Sequence, residues 1–208
     1  MKDFVSSSRR SLLLIVSGPA GSGKTTLCDG LLAEFKPRLQ RVVTATSRPP
    51  RAGEVDGVDY LFLTPEQFEE RVAAGAFYEH AKVHANRYGV LREAVLSKLD
   101  ASVDLLLNID VQGAASFRSA ARVDPRMGER IASVFIMPRS IDQLRERLAG
   151  RGSDDEAEIE RRMQTAQIEL KAWKSYDYCI VSGSREEDYE RIRAIYQAEM
   201  LKSGRLDA

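Results

Sequence analysis

A glycine-rich stretch near the start of the sequence constrains this chain more than any other feature. Residues 18–25, GPAGSGKT, match G-x-x-x-x-G-K-[ST], the P-loop pattern. The apolar run at residues 12–16 predicts a buried strand before the loop, and apolar residues at helical spacing from Leu27 to Phe35 predict a helix that begins near Lys24. Because strand, glycine loop and helix form the context that the motif requires, a P-loop is favoured over a plain glycine-rich turn.

The pattern predicts a site for phosphate groups. Glycines allow backbone N–H groups to surround phosphate oxygens, and the N-terminus of the following helix adds positive potential. The Lys24 ammonium can reach the β- and γ-phosphates of a nucleotide, and the Thr25 hydroxyl can bind Mg²⁺.

The composition indicates one substantial core and no general affinity for polyanions. The chain has 208 residues, 43% of them hydrophobic, and its 31 Lys plus Arg residues balance its 31 Asp plus Glu residues. Local clusters must therefore supply any phosphate affinity. Cys28 and Cys179 lie far apart and are predicted to be structural thiols in a reducing compartment. Since no segment reaches the length of a membrane span, we expect a cytoplasmic protein with neither membrane nor nucleic-acid partners.

A loop at residues 46–54, TSRPPRAGE, brings two arginines together on rigid backbone. Arg48 and Arg51 repel each other unless an anion lies between them, and the planar guanidinium suits phosphate oxygens in geometry and charge. From the loop alone, a phosphate site and a solvated basic loop remain equally open.

The order of the remaining patterns predicts an α/β fold. Strands near residues 12, 41, 103, 131 and 178, separated by helices, indicate a five-stranded parallel sheet with helices on both faces. Ligands of such sheets bind at the carboxyl ends of the strands. The strand at residues 103–110 ends in Asp110, which has the character of a Walker-B acid that helps to hold Mg²⁺.

Two further assignments concern individual elements. We expect a strand at residues 41–45, and a small strand-rich insertion from about residue 46 to 90. A long amphipathic helix after residue 156 is predicted to bury one face, with the apolar residues Ile159, Met163, Ala166, Ile168 and Leu170.

From residue 46 onward the chain resembles the guanylate kinase family. The resemblance rests on TSRPPRAGE followed by Asp59 and Tyr60, and continues through FYEHA at residues 77–81, NRYG at 86–89, IDVQG at 109–113 and GRG at 150–152. These motifs occur in the family's order and span the chain from Leu12 to about Met200.

The resemblance implies the reaction ATP + GMP ⇌ ADP + GDP with Mg²⁺. It implies one guanylate-kinase-like domain over residues 1–208, with a P-loop kinase core at 11–45 and 91–208, a GMP-binding insertion at about 46–90 and a mobile lid at about 150–160. The residues that it implies for ATP binding are Gly18, Pro19, Ala20, Gly21, Ser22, Gly23, Lys24, Thr25 and Thr26.

The family's motifs also imply roles on the acceptor side. By matching position, the GMP phosphate would be held by Arg48, Arg51, Tyr60 and Tyr88, and Thr44 and Glu79 would contact the guanine. Glu54 and Asp110 complete the implied GMP site, and Thr25 and Asp110 would hold Mg²⁺, partly through water. The implied catalytic residues are Lys24, Arg48, Arg151 and Arg162. Without the family, Arg151 and Arg162 would be interpreted as solvated arginines.

Three positions depart from the family's usual pattern. Val90 stands where Ser or Thr is common beside the guanine, so one hydrogen bond to the base is expected to be missing. Asn108 stands where the first Asp of Asp-x-Asp is common, so it brings no charge to the Mg²⁺. Residues 182–184, SGS, replace an Asn-Asp segment near the expected adenine site.

Two other functions remain open at this stage. Guanylate-kinase-like domains of scaffold proteins bind phosphorylated peptides without catalysis, although they tend to lose the lysine and arginines that this chain keeps at Lys24, Arg151 and Arg162. A related P-loop kinase could phosphorylate another acceptor such as a ribose phosphate, although Glu79 argues for guanine. We expect GMP and also dGMP to be accepted, and the sequence does not predict the oligomeric state.

Overall fold

The computed structural model describes residues 9–149 and 156–205. The strands are β1 (Leu13–Ser17), β2 (Leu39–Arg41), β3 (Ala45–Thr46), β4 (Leu61–Phe62), β5 (Phe77–Val83), β6 (Asn86–Leu91), β7 (Asp104–Asn108), β8 (Ile131–Met137) and β9 (Tyr178–Val181). The helices are α1 (Lys24–Glu34), α2 (Pro65–Ala73), α3 (Arg92–Asp100), α4 (Val111–Arg122), α5 (Ile141–Ala149), α6 (Glu156–Glu169) and α7 (Arg185–Met200). Short 3₁₀ turns, Leu170–Ser175 and Ser203–Arg205, follow α6 and α7.

The five predicted apolar runs form a parallel sheet in the order β2-β7-β1-β8-β9. The central strand β1 buries both of its faces. Leu13 and Ile15 belong to one apolar cluster, whereas Leu14 and Val16 belong to a second cluster on the opposite face. This two-sided burial explains why the run is continuously apolar rather than alternating, and the predicted parallel sheet is confirmed.

The carboxyl ends of the parallel strands collect the polar segments of the chain. β1 leads into the glycine loop, β7 ends at Asn108, and β9 is followed by Ser182 and Gly183. Because parallel strands end at the same edge of the sheet, these segments lie side by side.

A second, mixed sheet lies between β2 and α3 in the chain and has the strand order β4-β3-β6-β5. It has its own small apolar cluster, in which the rings of Phe68 and Phe77 stack with centroids 4.6 Å apart. Helix α2 packs on this cluster. It begins with a capping box, in which Thr64 and Gln67 bind each other's backbone N–H groups.

The predicted strand at residues 41–45 is wrong, because the chain changes sheets within it. The Val42 backbone N–H still donates to the Leu106 carbonyl oxygen at 2.9 Å, whereas the Thr44 carbonyl already accepts from Leu61 N–H at 2.9 Å. β2 therefore ends at Arg41 and Ala45 belongs to the second sheet. The two halves of one apolar run pair with different partners, and a local pattern does not encode that choice.

The prediction for Ile168 is also wrong, since 69% of this residue is exposed. Helix α6 buries Met163 and Ala166 against Leu144 and Leu148 of α5. Ile168 is two residues beyond Ala166 and so lies on the other side of the helix.

Two composition-based expectations can be compared with the structure. Both cysteines are free, and burial raises the pKa of the Cys28 thiol to about 12, which fits a structural thiol. Within residues 9–149 and 156–205, no helix has the length and apolar character needed to cross a bilayer.

Candidate active site

The glycine loop adopts backbone conformations that depend on glycine. Gly18 and Gly23 have φ values of 140° and 95°, which side chains other than glycine rarely tolerate. A Cβ atom on Gly18 would also lie 2.5 Å from the carbonyl oxygen of Ile136. Gly23 is the N-cap of α1 and provides no side-chain cap. The first backbone N–H groups of α1 therefore lack a capping side chain and are available to a phosphate.

The Lys24 side chain lies over the same loop. Its ammonium donates hydrogen bonds to the carbonyl oxygens of Gly18 at 2.6 Å and Pro19 at 2.8 Å. These contacts hold the ammonium next to the loop, where it can exchange the carbonyl oxygens for phosphate oxygens as hydrogen-bond acceptors.

Three oxygen-bearing side chains lie at the carboxyl edge of the sheet: Thr25 in the first turn of α1, Asn108 at the end of β7 and Asp110 at the N-terminus of α4. The Asn108 amide donates to the Thr25 hydroxyl at 3.3 Å. Asp110 is exposed, and its carboxylate caps α4 by accepting from Gly113 N–H at 2.7 Å. Hydroxyl, amide and carboxylate oxygens are the donors that Mg²⁺ prefers. The structure brings Asn108 into contact with Thr25, and Asp110, two residues beyond Asn108, is the N-cap of α4.

The predicted acceptor-phosphate residues form a second cluster on the mixed sheet. Arg48 is only 8% exposed, and its guanidinium donates to both oxygens of Glu54 at 2.6 Å. Glu54 also accepts from the Arg51 backbone N–H at 2.7 Å. The anion that two close arginines require is therefore the chain's own Glu54 carboxylate. The hydrogen bond from Arg48 lowers the pKa of Glu54 to about 2, so this ion pair persists at neutral pH.

Two tyrosines complete this cluster. The Arg48 guanidinium lies 5.0 Å from the centre of the Tyr60 ring, and its pKa is raised mainly by Glu54 and to a smaller extent by Tyr88. The ring centres of Tyr60 and Tyr88 are 6.0 Å apart. Aromatic contacts on a buried guanidinium fix its orientation.

Glu79 occupies a half-buried position on β5. Burial, with a smaller contribution from the negative charge of Asp110, raises the pKa of the Glu79 carboxyl to about 7. A half-buried carboxyl group with its pKa near neutrality is typical of functional sites. Its partner in the β5–β6 ladder is Val90, which is fully buried in the apolar core. No hydroxyl is therefore available at position 90.

Thr44, Arg162 and Arg151 are the remaining residues that the sequence predicted for the site. Thr44 is half-buried just before β3. Arg162, on α6, donates to Glu158 at 2.8 Å. Of the lid predicted at about residues 150–160, residues 150–155 with Arg151 lie outside the described residues, and residues 156–160 form the start of α6.

Sequence reasoning missed several residues that the fold brings to the glycine loop. Glu169, at the end of α6, is half-buried, and burial raises the pKa of its carboxyl while Lys24 lowers it and Asp110 raises it. Its charge therefore acts on the same site. Its position, more than a hundred residues after the loop, gives no local signal that could have identified it.

A cavity of about 320 Å³ adjoins the loop on its other side. Its walls are loop and α1 residues together with Arg147, Arg185 and Asp188. Asp188 is buried and accepts from the Ser182 hydroxyl at 2.7 Å and the Gly183 N–H at 2.8 Å. The segment that departs from the family pattern is thus held in place by an acid in the first turn of α7.

Fold and site together define a P-loop kinase, a protein with a glycine-rich phosphate loop at the carboxyl edge of a parallel sheet. Comparisons with known proteins agree. The guanylate kinase family model matches residues 10–199. The guanylate kinase of Nitratidesulfovibrio vulgaris is 45% identical over 193 residues, covering 93% of this chain and 89% of that protein. That of Clostridioides difficile is 39% identical over 197 residues, covering 95% and 92%.

A solved structure agrees as well. The crystal structure of guanylate kinase from Anaplasma phagocytophilum matches with a TM-score of 0.70 at 33% identity, covering 96% of this chain and 91% of that one. This chain belongs to the guanylate kinase family.

Proposed function

We infer that the chain is a guanylate kinase: it transfers the γ-phosphoryl group of ATP to GMP and releases ADP and GDP. The main observation that supports this conclusion is that the structure has both a donor-side and an acceptor-side feature. A P-loop marks the donor side, and a half-buried Glu79 with a raised pKa lies on the acceptor side. We propose the following roles for individual residues.

The donor nucleotide binds along the glycine loop. Backbone N–H groups of the loop and of the first turn of α1 surround its phosphates, and Lys24 moves from the carbonyl oxygens of Gly18 and Pro19 to the β- and γ-phosphates. The cavity of about 320 Å³ beside the loop receives the adenosine, with the guanidinium of Arg147 available to contact the base.

Mg²⁺ fits the corner formed by Thr25, Asn108 and Asp110. The oxygen donors there are hard ligands, and in the part of the chain that the structure describes no three His, Cys, Asp or Glu side chains converge as a protein cage. Such a set suits an ion held mainly by substrate phosphates and water. When bound, the ion neutralises charge on the transferring phosphoryl group.

The acceptor phosphate binds against Arg48, Arg51, Tyr60 and Tyr88. Arg48 is positioned by Glu54 and by the ring of Tyr60, which in turn contacts the ring of Tyr88. The N–H groups of Arg48 that Glu54 does not bind, together with the exposed Arg51 side chain, then contact phosphate oxygens. Because Arg48 is already oriented, little rotamer entropy is lost. Glu54 acts in this proposal as a positioning residue of the GMP site.

Guanine binds to Glu79 and Thr44. Guanine presents N1–H and the N2 amino group along one edge, and a carboxylate accepts both, while Thr44 can donate to O6. Adenine presents an acceptor at N1 and leaves the carboxylate without a partner, which disfavours it. Because Val90 supplies no hydroxyl, Glu79 carries more of the selectivity. None of these contacts involves the ribose 2′-hydroxyl, so we expect dGMP to be accepted.

Transfer itself needs positioning and neutralisation of charge more than a general base, because the attacking phosphate oxygen is already anionic. Lys24 and Arg162 contribute positive charge from the P-loop and from α6. Arg151 has the same proposed role by its matching motif, although it lies outside the described residues.

A panel of acceptors tests this function. With MgATP, ADP release should be fast with GMP and dGMP, and we expect GMP to exceed AMP by roughly 10⁴-fold in kcat/KM. Transfer to a ribose phosphate instead of GMP would indicate another P-loop kinase, and no transfer to any acceptor would favour a phosphopeptide-binding module. Lys24→Ala serves as the matched control, because it should lose transfer to every acceptor alike.

A further inference from the structure

One cavity of this structure lies away from the glycine loop. Its volume is about 990 Å³, and it is bordered by the C-terminal half of α1, the edge strand β2, helix α3 and residues 57–61 before β4. We name it the edge cavity. Its volume is within the range of sites that hold small organic ligands.

The edge cavity is apolar at its floor and cationic at its rim. The floor consists of aliphatic side chains, namely Leu32, Leu39, Val42, Val43, Leu61 and Leu105. The rim carries the ammonium groups of Lys36 and Lys98, which are both exposed.

The acids at this rim are already engaged. Asp29 pairs with Arg41 at 2.6 Å, and the Asp59 carboxylate accepts from the Val55 N–H at 2.7 Å. Lys98 donates only to the neutral amide oxygen of Gln40, at 3.2 Å. Within residues 9–149 and 156–205, neither rim lysine forms an ion pair with an acid. An apolar floor next to two such ammonium groups is complementary to a molecule with an apolar body and one anionic end.

We propose that the edge cavity binds a small amphiphilic anion, an aromatic or aliphatic carboxylate or sulfonate, with its apolar body on the aliphatic floor and its anionic group between Lys36 and Lys98.

One wall of the edge cavity also borders the proposed GMP site. Val58, Asp59 and Leu61 line the cavity, while the ring of Tyr60 lies against the guanidinium of Arg48 at 5.0 Å. A ligand on one side of this short segment therefore acts on the residue that faces the GMP phosphate on the other side. This coupling, unlike the binding itself, rests on the proposed function. By linkage, GMP and the anion must change each other's affinity by the same factor.

The binding test uses 8-anilinonaphthalene-1-sulfonate, an aromatic sulfonate whose fluorescence rises in apolar sites. We expect saturable binding that MgATP does not displace. Lys36→Glu together with Lys98→Glu should weaken binding by about tenfold or more, since two attractive charges become repulsive. The matched control is Lys171→Glu with Lys174→Glu, which makes the same charge change at exposed lysines outside the cavity, and it should bind as tightly as the wild type. Equal weakening in both double variants would overturn the proposal.

A second variant tests the apolar floor. Ala33 is exposed and lines the edge cavity, so Ala33→Trp should fill the space without disturbing the core, and it should abolish binding of the probe. Retained binding would overturn the proposal, as would competition between the probe and MgATP. Dimers in sedimentation experiments that dissociate in Ala33→Trp would show that a second copy of the chain covers the cavity instead.

The coupling test measures the dissociation constant of the probe with and without GMP. We expect GMP to change it twofold or more and ATP to leave it unchanged. If GMP is not phosphorylated in the acceptor panel while the probe still binds in a lysine-dependent manner, the proposed function is wrong and the edge-cavity proposal is retained. If GMP is phosphorylated and the probe does not bind, the edge-cavity proposal is wrong.

Discussion

The pH dependence of GMP recognition follows from the environment of Glu79. Its carboxyl is half-buried and close enough to Asp110 to experience its negative charge, and together these raise its pKa from 4.5 to about 7. In the proposed site, guanine N–H donors interact with the ionised carboxylate, so we expect GMP to bind the deprotonated form. Binding must then strengthen as the pH rises through 7, and a proton must be released when GMP binds below that pH.

The magnitude can be worked out from this pKa. If GMP binds only the ionised form, the apparent KM is multiplied by a factor of 1 + 10^(pKa − pH). For a pKa of about 7, the factor is about 11 at pH 6, about 2 at pH 7 and about 1.1 at pH 8. A glutamate with its ordinary pKa of 4.5 would give a factor close to 1 throughout this range.

The assay is kcat/KM for GMP from pH 6 to pH 8.5 at saturating MgATP, measured by ADP release. The GMP phosphate has its own pKa of about 6 and contributes a pH dependence that is independent of Glu79. Glu79→Gln provides the control, because it keeps that contribution and removes the carboxyl. We expect this variant to lose about 10²-fold in kcat/KM for GMP, with an unchanged KM for ATP. Identical pH profiles for wild type and variant, or an unchanged ratio of GMP to AMP, would refute the reasoning.

Three more predictions concern charged or oxygen-bearing residues of the site. Lys24→Ala should lower kcat by about 10²–10⁴-fold in folded protein, because the ammonium follows the transferring phosphoryl group, and near-normal turnover would remove Lys24 from the site. Glu54→Gln should raise the KM for GMP by about tenfold with little effect on ATP, since the charged fork that orients Arg48 is lost, whereas an equal effect on both substrates would indicate general unfolding. Asn108→Asp should lower the Mg²⁺ concentration for half-maximal activity a few-fold, as an added carboxylate attracts the cation. An unchanged Mg²⁺ dependence would place residue 108 outside the metal corner.

Most of the architecture could be predicted from local patterns. Buried strands and amphipathic helices each show their pattern in consecutive residues, so the strands expected near residues 131 and 178 are β8 and β9, and α1 begins at Lys24 as predicted. The change of sheets between Val42 and Thr44 could not be predicted. It depends on whether Leu106 or Leu61 is the hydrogen-bond partner, and both are distant in sequence.

The site was predictable where its residues are contiguous. The residues of the glycine loop and of the arginine loop each lie within nine positions, although the arginine loop alone left a phosphate site and a solvated basic loop equally open. Glu169 and Asp188 reach the site only through the packing of α6 and α7. The side-chain conformation of Arg48, with both terminal nitrogens bound to Glu54, is likewise a property of the fold.

The charge distribution explains how a chain with no net charge can bind two polyanionic nucleotides. Arg48 pairs with Glu54, Arg162 with Glu158, and Lys24 contacts carbonyl oxygens while experiencing the charge of Glu169. Each cation therefore already has a polar or acidic partner within the protein before the substrates bind. A bound phosphate replaces or adds to the contacts of side chains that are already oriented. These side chains therefore lose less rotamer entropy on binding than freely rotating side chains would. The same arrangement discriminates against stray anions, because a ligand that meets only one of these cations gains too little to displace its internal partner.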